Sequence, residues 1–256
     1  MNKSELLLLM MAAEKEAGAL MLQAHDVMAE CKSDARNVVT EYDRKIQDLL
    51  SESFSAAIPD AHFFCEESDR PDSLDAEYVF IIDPIDGTMN FVRGFQHSCV
   101  SVACMHKGEI TAAAVYNPYL DEMFTAIKGE GAKLNGRKIS VDDSGLNNSV
   151  CCVGTSPYYP ELADRTFSLA KRLYIEGLDI RRGGSAELDL CSIAAGRAGL
   201  FFELKLSFWD YAAGYLIATE AGARVTDIDG NPLPFDGSFS SVLCAGENTI
   251  KDFFEK

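Results

Sequence analysis

The chain has 256 residues, of which 47% are hydrophobic and 25% are charged, a composition typical of an ordered globular protein and not of a disordered chain. Its 40 acidic and 23 basic residues give a formal net charge of −17 at pH 7. Because a field of this sign repels a nucleic acid backbone and an anionic lipid surface, nucleic acid and membrane are poor candidates as partners.

The N-terminal leucine and methionine run at residues 6–11 resembles the core of a signal peptide. Charged residues follow at once without a convincing small-residue cleavage site, so we predict no signal peptide and a cytoplasmic protein. Apolar residues recur at helical spacing over residues 6–21 and predict an amphipathic first helix. The eight cysteines contain no C-x-x-C pair, which indicates reduced thiols.

The polar residues 32–37 predict an exposed loop after this helix. A second helix is predicted over residues 41–58, because Pro59 disfavours helical geometry at the residue before it. Short apolar runs then predict strands at residues 62–65, 78–82, 99–105, 110–116 and 122–127. The turns between the last three strands favour an antiparallel meander.

A polar stretch at residues 142–148 marks a change of pattern. Beyond it, predicted helices alternate with predicted strands, which is typical of an α/β layer. The helices are at residues 160–176, 186–195 and 209–221, and the strands are at residues 150–153, 200–204, 223–227 and 241–245. We therefore predict two subdomains, residues 1–145 with metal-binding acids and residues 146–256 completing the active site.

The most informative motif follows the strand predicted at residues 78–82. Asp83 ends this apolar run and Asp86 follows three residues later. Proline at position 84 is expected to stop strand pairing, whereas Gly87 permits a tight turn. Thr88 can then open a helix whose free backbone N–H groups attract a phosphate.

Acids beside an anion-binding site repel each other and the phosphate, by ~1 kcal/mol per close pair in water and ~4 kcal/mol at an effective dielectric constant of 20. A cation is needed to offset this repulsion, and oxygen ligands favour Mg²⁺ over zinc. Taken alone, Asp86 and Gly87 are also compatible with an ordinary turn. Neighbouring Glu66 and Glu67 follow another strand, and since adjacent side chains point to opposite faces, we expect only Glu66 to reach the cluster.

Asp210 supplies a further acid, in the predicted first turn of a helix, where the helix dipole favours negative charge. The blocks at residues 66–68, 83–88 and 209–214, in this order, resemble the signature blocks of the inositol monophosphatase family. The resemblance extends over nearly the whole chain. It implies a layered αβαβα sandwich of the α/β (α+β) class, hydrolysis of a phosphate monoester by a metal-activated water, sensitivity to lithium, and a homodimer.

The resemblance also implies a role for individual residues. The metal ligands for two or three Mg²⁺ ions would be Glu66, Asp83, the Ile85 carbonyl, Asp86 and Asp210. Glu66 and Thr88 would orient the attacking water, and Asp86 would share in catalysis. The substrate would be held by Asp86, Gly87, Thr88, Gly184, Ser185, Ala186, Glu203 and Asp210, with Glu203 as the acceptor for a substrate hydroxyl.

Two departures from the family pattern leave the substrate range open. Glu187 stands where relatives commonly carry a small apolar residue, and Asn37 stands where they often carry aspartate. Inositol monophosphate is the leading substrate, fructose 1,6-bisphosphate or another sugar or polyol phosphate is the nearest rival, and adenosine 3′,5′-bisphosphate is less favoured. A non-catalytic phosphosugar-binding protein is a further alternative, which the intact set of mapped ligands disfavours.

Overall fold

The structure, a computed structural model, describes residues 1–25, 27–32, 38–68 and 70–255. Helix α1 (Lys3–Gln23) and helix α2 (Glu41–Ala57) confirm the two predicted N-terminal helices. A short antiparallel ribbon of β1 (Ala29–Cys31) and β2 (Val38–Thr40) lies between them and was not predicted, because three-residue strands show no periodicity. Except for Lys32, the loop predicted at residues 32–37 lies outside the described residues.

The larger sheet has seven strands in the order of the sequence. They are β3 (His62–Cys65), β4 (Tyr78–Asp86), β5 (Cys99–His106), β6 (Glu109–Asn117), β7 (Glu122–Ile127), β8 (Gly131–Leu134) and β9 (Arg137–Lys138). Only the β3–β4 pair is parallel, and the antiparallel pairs that follow confirm the predicted meander. The short, polar strands β8 and β9 were not predicted.

The smaller sheet and the remaining helices come from the C-terminal half, apart from the short helix α3 (Thr88–Val92). Strands β10 (Val150–Val153), β11 (Asp179–Arg181), β12 (Leu200–Leu206), β13 (Arg224–Thr226) and β14 (Ser240–Ala245) pair in the order β11-β10-β12-β14-β13. The helices are α4 (Ala163–Glu176), α5 (Ala186–Ala194), α6 (Ala212–Glu220) and α7 (Glu247–Glu255). Neither β11 nor α7 was predicted.

The elements form five layers, which confirms the predicted αβαβα sandwich. Helices α1 and α2 cover one face of the seven-stranded sheet around a core that includes Met10, Ile46 and Phe80. Helices α5 and α6 fill the space between the two sheets. Helices α4 and α7 cover the outer face of the five-stranded sheet. The division into subdomains at residues 145 and 146 stays a prediction.

The cysteine thiols and the lengths of the helices also bear on the sequence predictions. All eight cysteines are free, as predicted, and seven of them are buried while Cys31 is exposed. Burial raises the pKa of the Cys65 and Cys104 thiols to about 12, so these groups stay protonated and poorly reactive. Among the described residues, no helix has the length and apolar character needed to cross a membrane.

The apolar face of α1 contains one acid that composition alone does not explain. Glu14 is 0% exposed, and neither of its carboxyl oxygens has a hydrogen-bond partner within the described part of the chain. Burial raises the pKa of Glu14 well above its ordinary value, and the negative charge of Glu187 raises it further. Glu14 therefore holds its proton in the folded protein under conditions in which the unfolded chain releases it.

We expect Glu14→Gln to stabilise the protein at pH 8 and to have little effect near pH 4. The stability contributed by the retained proton is present below the unfolded pKa of about 4.3 and is lost as pH rises, because only the unfolded state ionises freely. Glutamine cannot ionise in either state. Thermal melts between pH 4 and pH 8 measure the difference, and a gain of roughly 2–4 °C corresponds to about 1 kcal/mol for a chain of this size.

Glu16→Gln is the matched control, since Glu16 lies on the exposed side of the same helix. Equal dependence of the melting temperature on pH in the wild type and in Glu14→Gln would show that burial of Glu14 carries no such linkage.

Candidate active site

The end of β4 brings two acids to the same side of the sheet. Asp83 pairs with Ser101 and Asp86 pairs with Cys99, so the two residues between the acids lie opposite a single residue of β5. This is a β-bulge, and the expectation that Pro84 stops strand pairing was wrong: pairing resumes at Asp86. Residues three apart point to opposite faces of a regular strand, whereas the extra residue of the bulge turns both carboxylates to one side.

The turn after the bulge is built around a glycine. Gly87 has a φ of +84°, and a Cβ there would lie 3.1 Å from the carbonyl oxygens of both Gly184 and His97. Helix α3 begins at Thr88, as predicted. The turn therefore needs glycine for its left-handed backbone and for its close contact with the Gly184 loop.

The Thr88 hydroxyl is held between two acceptors. Its Oγ1 lies 3.1 Å from the Ile85 carbonyl oxygen and 3.4 Å from a carboxylate oxygen of Asp43. Asp43 in turn caps α2, since its other oxygen accepts a hydrogen bond of 2.7 Å from the Thr40 amide. Burial raises the pKa of Asp43 to about 6, although the hydrogen bonds from Thr40 oppose the shift.

Glu66, just beyond β3, lies beside a cation and another acid. The Lys32 Nζ is 2.9 Å from the Glu66 Oε1 and 2.5 Å from the Glu67 Oε1. Burial alone lowers the pKa of Lys32, but the two neighbouring carboxylates outweigh it and raise that pKa above its usual value. On its other side Glu66 is within hydrogen-bonding reach of Asp83. Glu66 lines the central cavity, whereas Glu67 is held by Lys32 at its edge.

Asp210 enters the same space from the C-terminal half. The prediction that it occupies the first turn of an α-helix was wrong, because residues Phe208–Asp210 form a separate 3-10 turn before α6. Its Oδ2 accepts a hydrogen bond of 2.6 Å from the Ser207 amide, which fixes the side chain. A three-residue 3-10 turn directly ahead of a helix has nearly the same apolar spacing as the helix. The sequence pattern therefore did not distinguish the turn from the first turn of α6.

Asp86 is anchored by the start of α5. Its Oδ2 accepts hydrogen bonds from the Ser185 hydroxyl at 2.5 Å and from the Glu187 amide at 2.8 Å, and its Oδ1 accepts from the Ala186 amide at 3.3 Å. The Glu187 carboxylate is itself buried and accepts from the first amides of α6 at positions 213 and 214. Glu187 therefore joins Asp86 to the helix that follows Asp210.

The clustered acids destabilise one another's charges. Burial raises the pKa of Asp83, Asp86 and Asp210, to about 6 in the case of Asp86. The negative charge of Glu66 raises all three further. Among the described residues, Lys32 is the one cation within ion-pair distance of this group. The site therefore has more negative charge than the protein itself neutralises.

The donor set fits a hard divalent cation. All the ligand atoms on offer are oxygens, which Mg²⁺ prefers, and no histidine or cysteine ligand set of the kind zinc selects lies among them. In the described side-chain positions no three potential ligands are gathered closely enough to hold an ion. Lys32 bonds Glu66, and the Ser185 hydroxyl bonds Asp86.

All eleven residues predicted for the site line one cavity of about 540 Å³. They are Glu66, Asp83, Ile85, Asp86, Gly87, Thr88, Gly184, Ser185, Ala186, Glu203 and Asp210. Glu203 is 8% exposed, and its Oε1 accepts a 2.6 Å hydrogen bond from the Ser156 amide. Burial raises the pKa of Glu203 to about 7. The structure brings the predicted residues together, and their individual roles stay predictions.

Sequence reasoning missed several residues of the cavity wall. Among them are Tyr159, Arg182, Asp189, Lys205 and Phe239. One signal was available: Lys205 lies two residues after Glu203, the spacing that places side chains on one face of a regular strand. The strand predicted there ended at residue 204, and in the structure a bulge lies between Glu203 and Leu206. The others come from loops and helices far apart in the sequence.

The model of the inositol monophosphatase family matches residues 2–254. The chain belongs to this family. A solved structure of the extragenic suppressor protein suhB from Bartonella henselae is 34% identical, with a TM-score of 0.90 over 97% of both chains.

Two curated relatives carry different names. The inositol-1-monophosphatase of Rhizobium meliloti strain 1021 is 35% identical over 256 residues, which cover 98% of this chain and 95% of that protein. The putative Nus factor SuhB of Neisseria meningitidis serogroup B is 38% identical over 223 residues, 85% of each chain. Membership of the family supports a phosphatase of a typically metal-dependent kind. Two residues were predicted to differ from the family pattern. Glu187 lies behind Asp86, which its amide contacts, and Asn37 lies outside the described residues.

Replacement of Gly87 tests the turn that closes the site. We expect Gly87→Ala to lower the free energy of unfolding by about 2–3 kcal/mol, since alanine meets both a left-handed backbone and two carbonyl oxygens. Gly108→Ala is the matched control, because Gly108 has a φ of +81° with open space around its Cβ position, so it carries only the backbone cost of about 1–2 kcal/mol. Urea unfolding measures both, and equal losses would rule out a contribution from the Gly184 contact.

Proposed function

We propose that this member of the inositol monophosphatase family hydrolyses a phosphate monoester of a polyol or sugar, with inositol monophosphate as the leading substrate. The observation that carries the proposal is the convergence of acids from three separate chain segments on one cavity beside the Gly87 turn, with Asp83 and Asp86 buried and Glu66 and Asp210 half-buried. Their raised pKa values reflect a charge excess that a bound cation would remove. Such an arrangement is unfavourable in a purely structural site.

The metal-holding groups would be the carboxylates of Glu66, Asp83, Asp86 and Asp210 with the Ile85 carbonyl. Two or three Mg²⁺ ions would activate the attacking water and stabilise negative charge on the leaving oxygen. Asp83 lies in the middle of this set, since the charges of Glu66, Asp86 and Asp210 all act on it. It is the carboxylate best placed to serve more than one ion.

The attacking water would be oriented by Thr88 and Glu66. The Thr88 hydroxyl has one proton, which it donates to the Ile85 carbonyl or to Asp43. Its oxygen lone pairs are then available to accept a hydrogen bond from the water, which sets the direction of the water's own lone pair. Once Lys32 no longer bonds Glu66, the Glu66 carboxylate would accept a second hydrogen bond from the same water.

The phosphate would be held by the start of α3. Backbone amides of Gly87 and Thr88 are the donors, and they act on the oxygens whose charge redistributes in the transition state. Glu203 would accept a hydrogen bond from a hydroxyl of the alcohol, beside Gly184, Ser185 and Ala186. The Ser156 amide fixes one Glu203 oxygen, which keeps the carboxylate in a single orientation.

A role of the kind named in the relatives called Nus factor SuhB is the second candidate. It is supported by identities as high as those to the named inositol-1-monophosphatase. The retention of every mapped acid in one cavity favours catalysis, because a chain kept only for binding a partner has no need of these buried charges. Phosphate release from an ester panel, with and without Mg²⁺, separates the two candidates.

We expect phosphate release to require Mg²⁺ and Asp86→Asn to lower kcat by at least ~10²–10³, because the substitution removes a ligand charge that stabilises the transition state. Steady-state assays on inositol 1-phosphate at saturating Mg²⁺ and in chelator measure both effects. Asp164→Asn, which makes the same change on an exposed position of α4, serves as the control. Activity that persists in chelator would disprove the metal requirement.

Recognition of the alcohol is tested at Glu203. A charged acceptor bonded to a hydroxyl contributes ~1.5–3 kcal/mol, so Glu203→Ala should weaken kcat/KM for inositol 1-phosphate roughly 10- to 150-fold. For p-nitrophenyl phosphate, which lacks the hydroxyls, the loss should be much smaller. Glu203→Gln keeps an oxygen for the Ser156 amide and separates recognition from a disturbed loop. If both substrates lose activity equally, Glu203 belongs to the catalytic machinery instead.

A further inference from the structure

Glu187 is a buried acid that the proposed reaction does not use. Its side chain is 0% exposed, and among the residues that the structure describes it is not one of those that line the cavity. Burying a carboxyl group is unfavourable unless hydrogen bonds satisfy it. The partners of Glu187 therefore indicate what the side chain does behind the cavity wall.

The carboxylate of Glu187 caps helix α6. Its Oε1 accepts a hydrogen bond of 3.2 Å from the Ala213 amide, and its Oε2 accepts one of 2.6 Å from the Gly214 amide. In the described chain, Tyr211, which precedes the helix, provides no side-chain cap. Because the first amides of a helix have no partner within the helix, α6 depends on an acid from α5. Asp210 lies just ahead of α6, so the cap also fixes the segment that carries Asp210.

The backbone of Glu187 holds a second acid of the site. Its amide donates a hydrogen bond of 2.8 Å to the Oδ2 of Asp86. Asp86 is thus bonded to the first turn of α5, and the Glu187 side chain bonds the first turn of α6. Since one residue makes both contacts, Asp86 and the segment of Asp210 cannot move apart without breaking one of them.

The third acid is connected through Ser101. The Ser101 hydroxyl lies within hydrogen-bonding reach of the Glu187 carboxylate, and Ser101 pairs with Asp83 in the register of β4 and β5. Ser101 is 1% exposed, so water does not compete for this contact. Glu187 therefore bonds Asp86 itself and a direct structural neighbour of both Asp83 and Asp210.

Close packing restricts the Glu187 side chain. A Cβ at Gly214 would lie 2.6 Å from the Glu187 Oε2 and 2.6 Å from the Leu190 Cδ1. Glycine at this position lets α5 and α6 approach closely enough for the cap to form. The carboxylate is thus enclosed by the two helices and held in one orientation by its donors.

We infer that Glu187 is a positioning residue that fixes the spacing of the segments carrying Asp83, Asp86 and Asp210, and so shifts the cation selectivity of their site toward Mg²⁺ and away from the larger Ca²⁺. This inference rests on the proposed function, because it concerns the metal site of the same cavity. Glu187 fixes the backbone of these segments, and rotation of the aspartate side chains then brings their carboxylates to an ion.

The two ions differ in the site that they need. Mg²⁺ requires oxygen ligands at about 2.0–2.1 Å in near-octahedral geometry, whereas Ca²⁺ accepts about 2.3–2.6 Å and variable geometry. Flexible ligands adapt to the larger ion, and ligands of fixed spacing do not. Loss of the Glu187 contacts should therefore favour Ca²⁺ relative to Mg²⁺.

The test measures cation binding without turnover. Mg²⁺ and Ca²⁺ each compete against bound Mn²⁺, and electron paramagnetic resonance of the free Mn²⁺ gives the affinity for each ion. We expect Glu187→Ala to lower the ratio of Mg²⁺ affinity to Ca²⁺ affinity about tenfold or more, since groups that orient metal ligands change metal affinity roughly 10- to 100-fold. Asp86→Asn, which removes a proposed ligand, should weaken Mn²⁺ binding and thereby assign the signal to this cavity.

Glu187→Gln separates the position of the side chain from its charge. Its amide oxygen can still accept from the Gly214 amide, so the affinity ratio should lie between those of the wild type and Glu187→Ala. A purely electrostatic role would instead weaken both ions by the same factor, since both carry two positive charges. This variant also decides the question if Glu187→Ala does not fold.

Asp143→Ala is the matched control, because Asp143 caps a helix in the same way outside the cavity wall. Its Oδ1 accepts hydrogen bonds from the first amides of α7, at 2.7 Å from Asn248 and 3.2 Å from Thr249. Thermal melts show which variants remain folded. The control should lose stability and keep the affinity ratio of the wild type.

Three results overturn the inference: an unchanged ratio in both Glu187 variants, an equal loss of affinity for the two ions, or an equally large shift in Asp143→Ala. If the wild type binds Mg²⁺ but releases phosphate from no ester, the proposed function fails and the ratio still decides the inference. If the wild type hydrolyses an ester in Mg²⁺ and the ratio is unchanged in the variants, the inference fails and the proposed function stands. A wild type that binds none of these ions contradicts both.

Discussion

Mutual repulsion among buried carboxylates is the constraint on which this active-site cavity depends. Asp83 and Asp86 are buried, Asp210 is half-buried, and the charge of Glu66 acts on all three, so each charge raises the free energy of the others. The fold opposes this repulsion with fixed donors: the Ser185 hydroxyl and backbone amides at the starts of helices, where partial positive charge is available. These donors hold the carboxylates without neutralising them. Lys32 neutralises only part of the negative charge, so the rest favours binding of a cation.

The five layers explain why such a cluster is possible. The acids come from the ends of β3 and β4 in the larger sheet and from the turn before α6. The helices between the sheets are fixed to one another through Glu187, whose amide binds Asp86 and whose carboxylate binds the start of α6. A polar residue buried there would be unfavourable without these partners. Since each acid lies at or directly beside the end of a strand or a 3-10 turn, packing in the core restricts its position.

The sequence predicted the layered fold, both N-terminal helices, the meander and the eleven residues that meet in the cavity. Those predictions depended on periodicity and on motifs in contiguous stretches, together with the family resemblance. Failures occurred where geometry depends on the partner strand or on distant contacts. The bulge at Pro84 requires knowledge of the register with β5, and the ring of Tyr159 over Lys205 joins segments that no local pattern connects. Glu14 is fully buried on α1, and no sequence pattern separated it from the exposed acids of the same helix.

The distribution of thiols has a practical consequence. Seven cysteines are enclosed in the layers, while Cys31 is exposed on the short ribbon and directly precedes Lys32, whose ammonium bonds Glu66. A maleimide fluorophore or spin label would therefore attach selectively at one native position without mutagenesis. Because that position adjoins Lys32, which pairs with Glu66 at the edge of the cavity, the attached label would give an optical or magnetic signal from this edge that is independent of turnover.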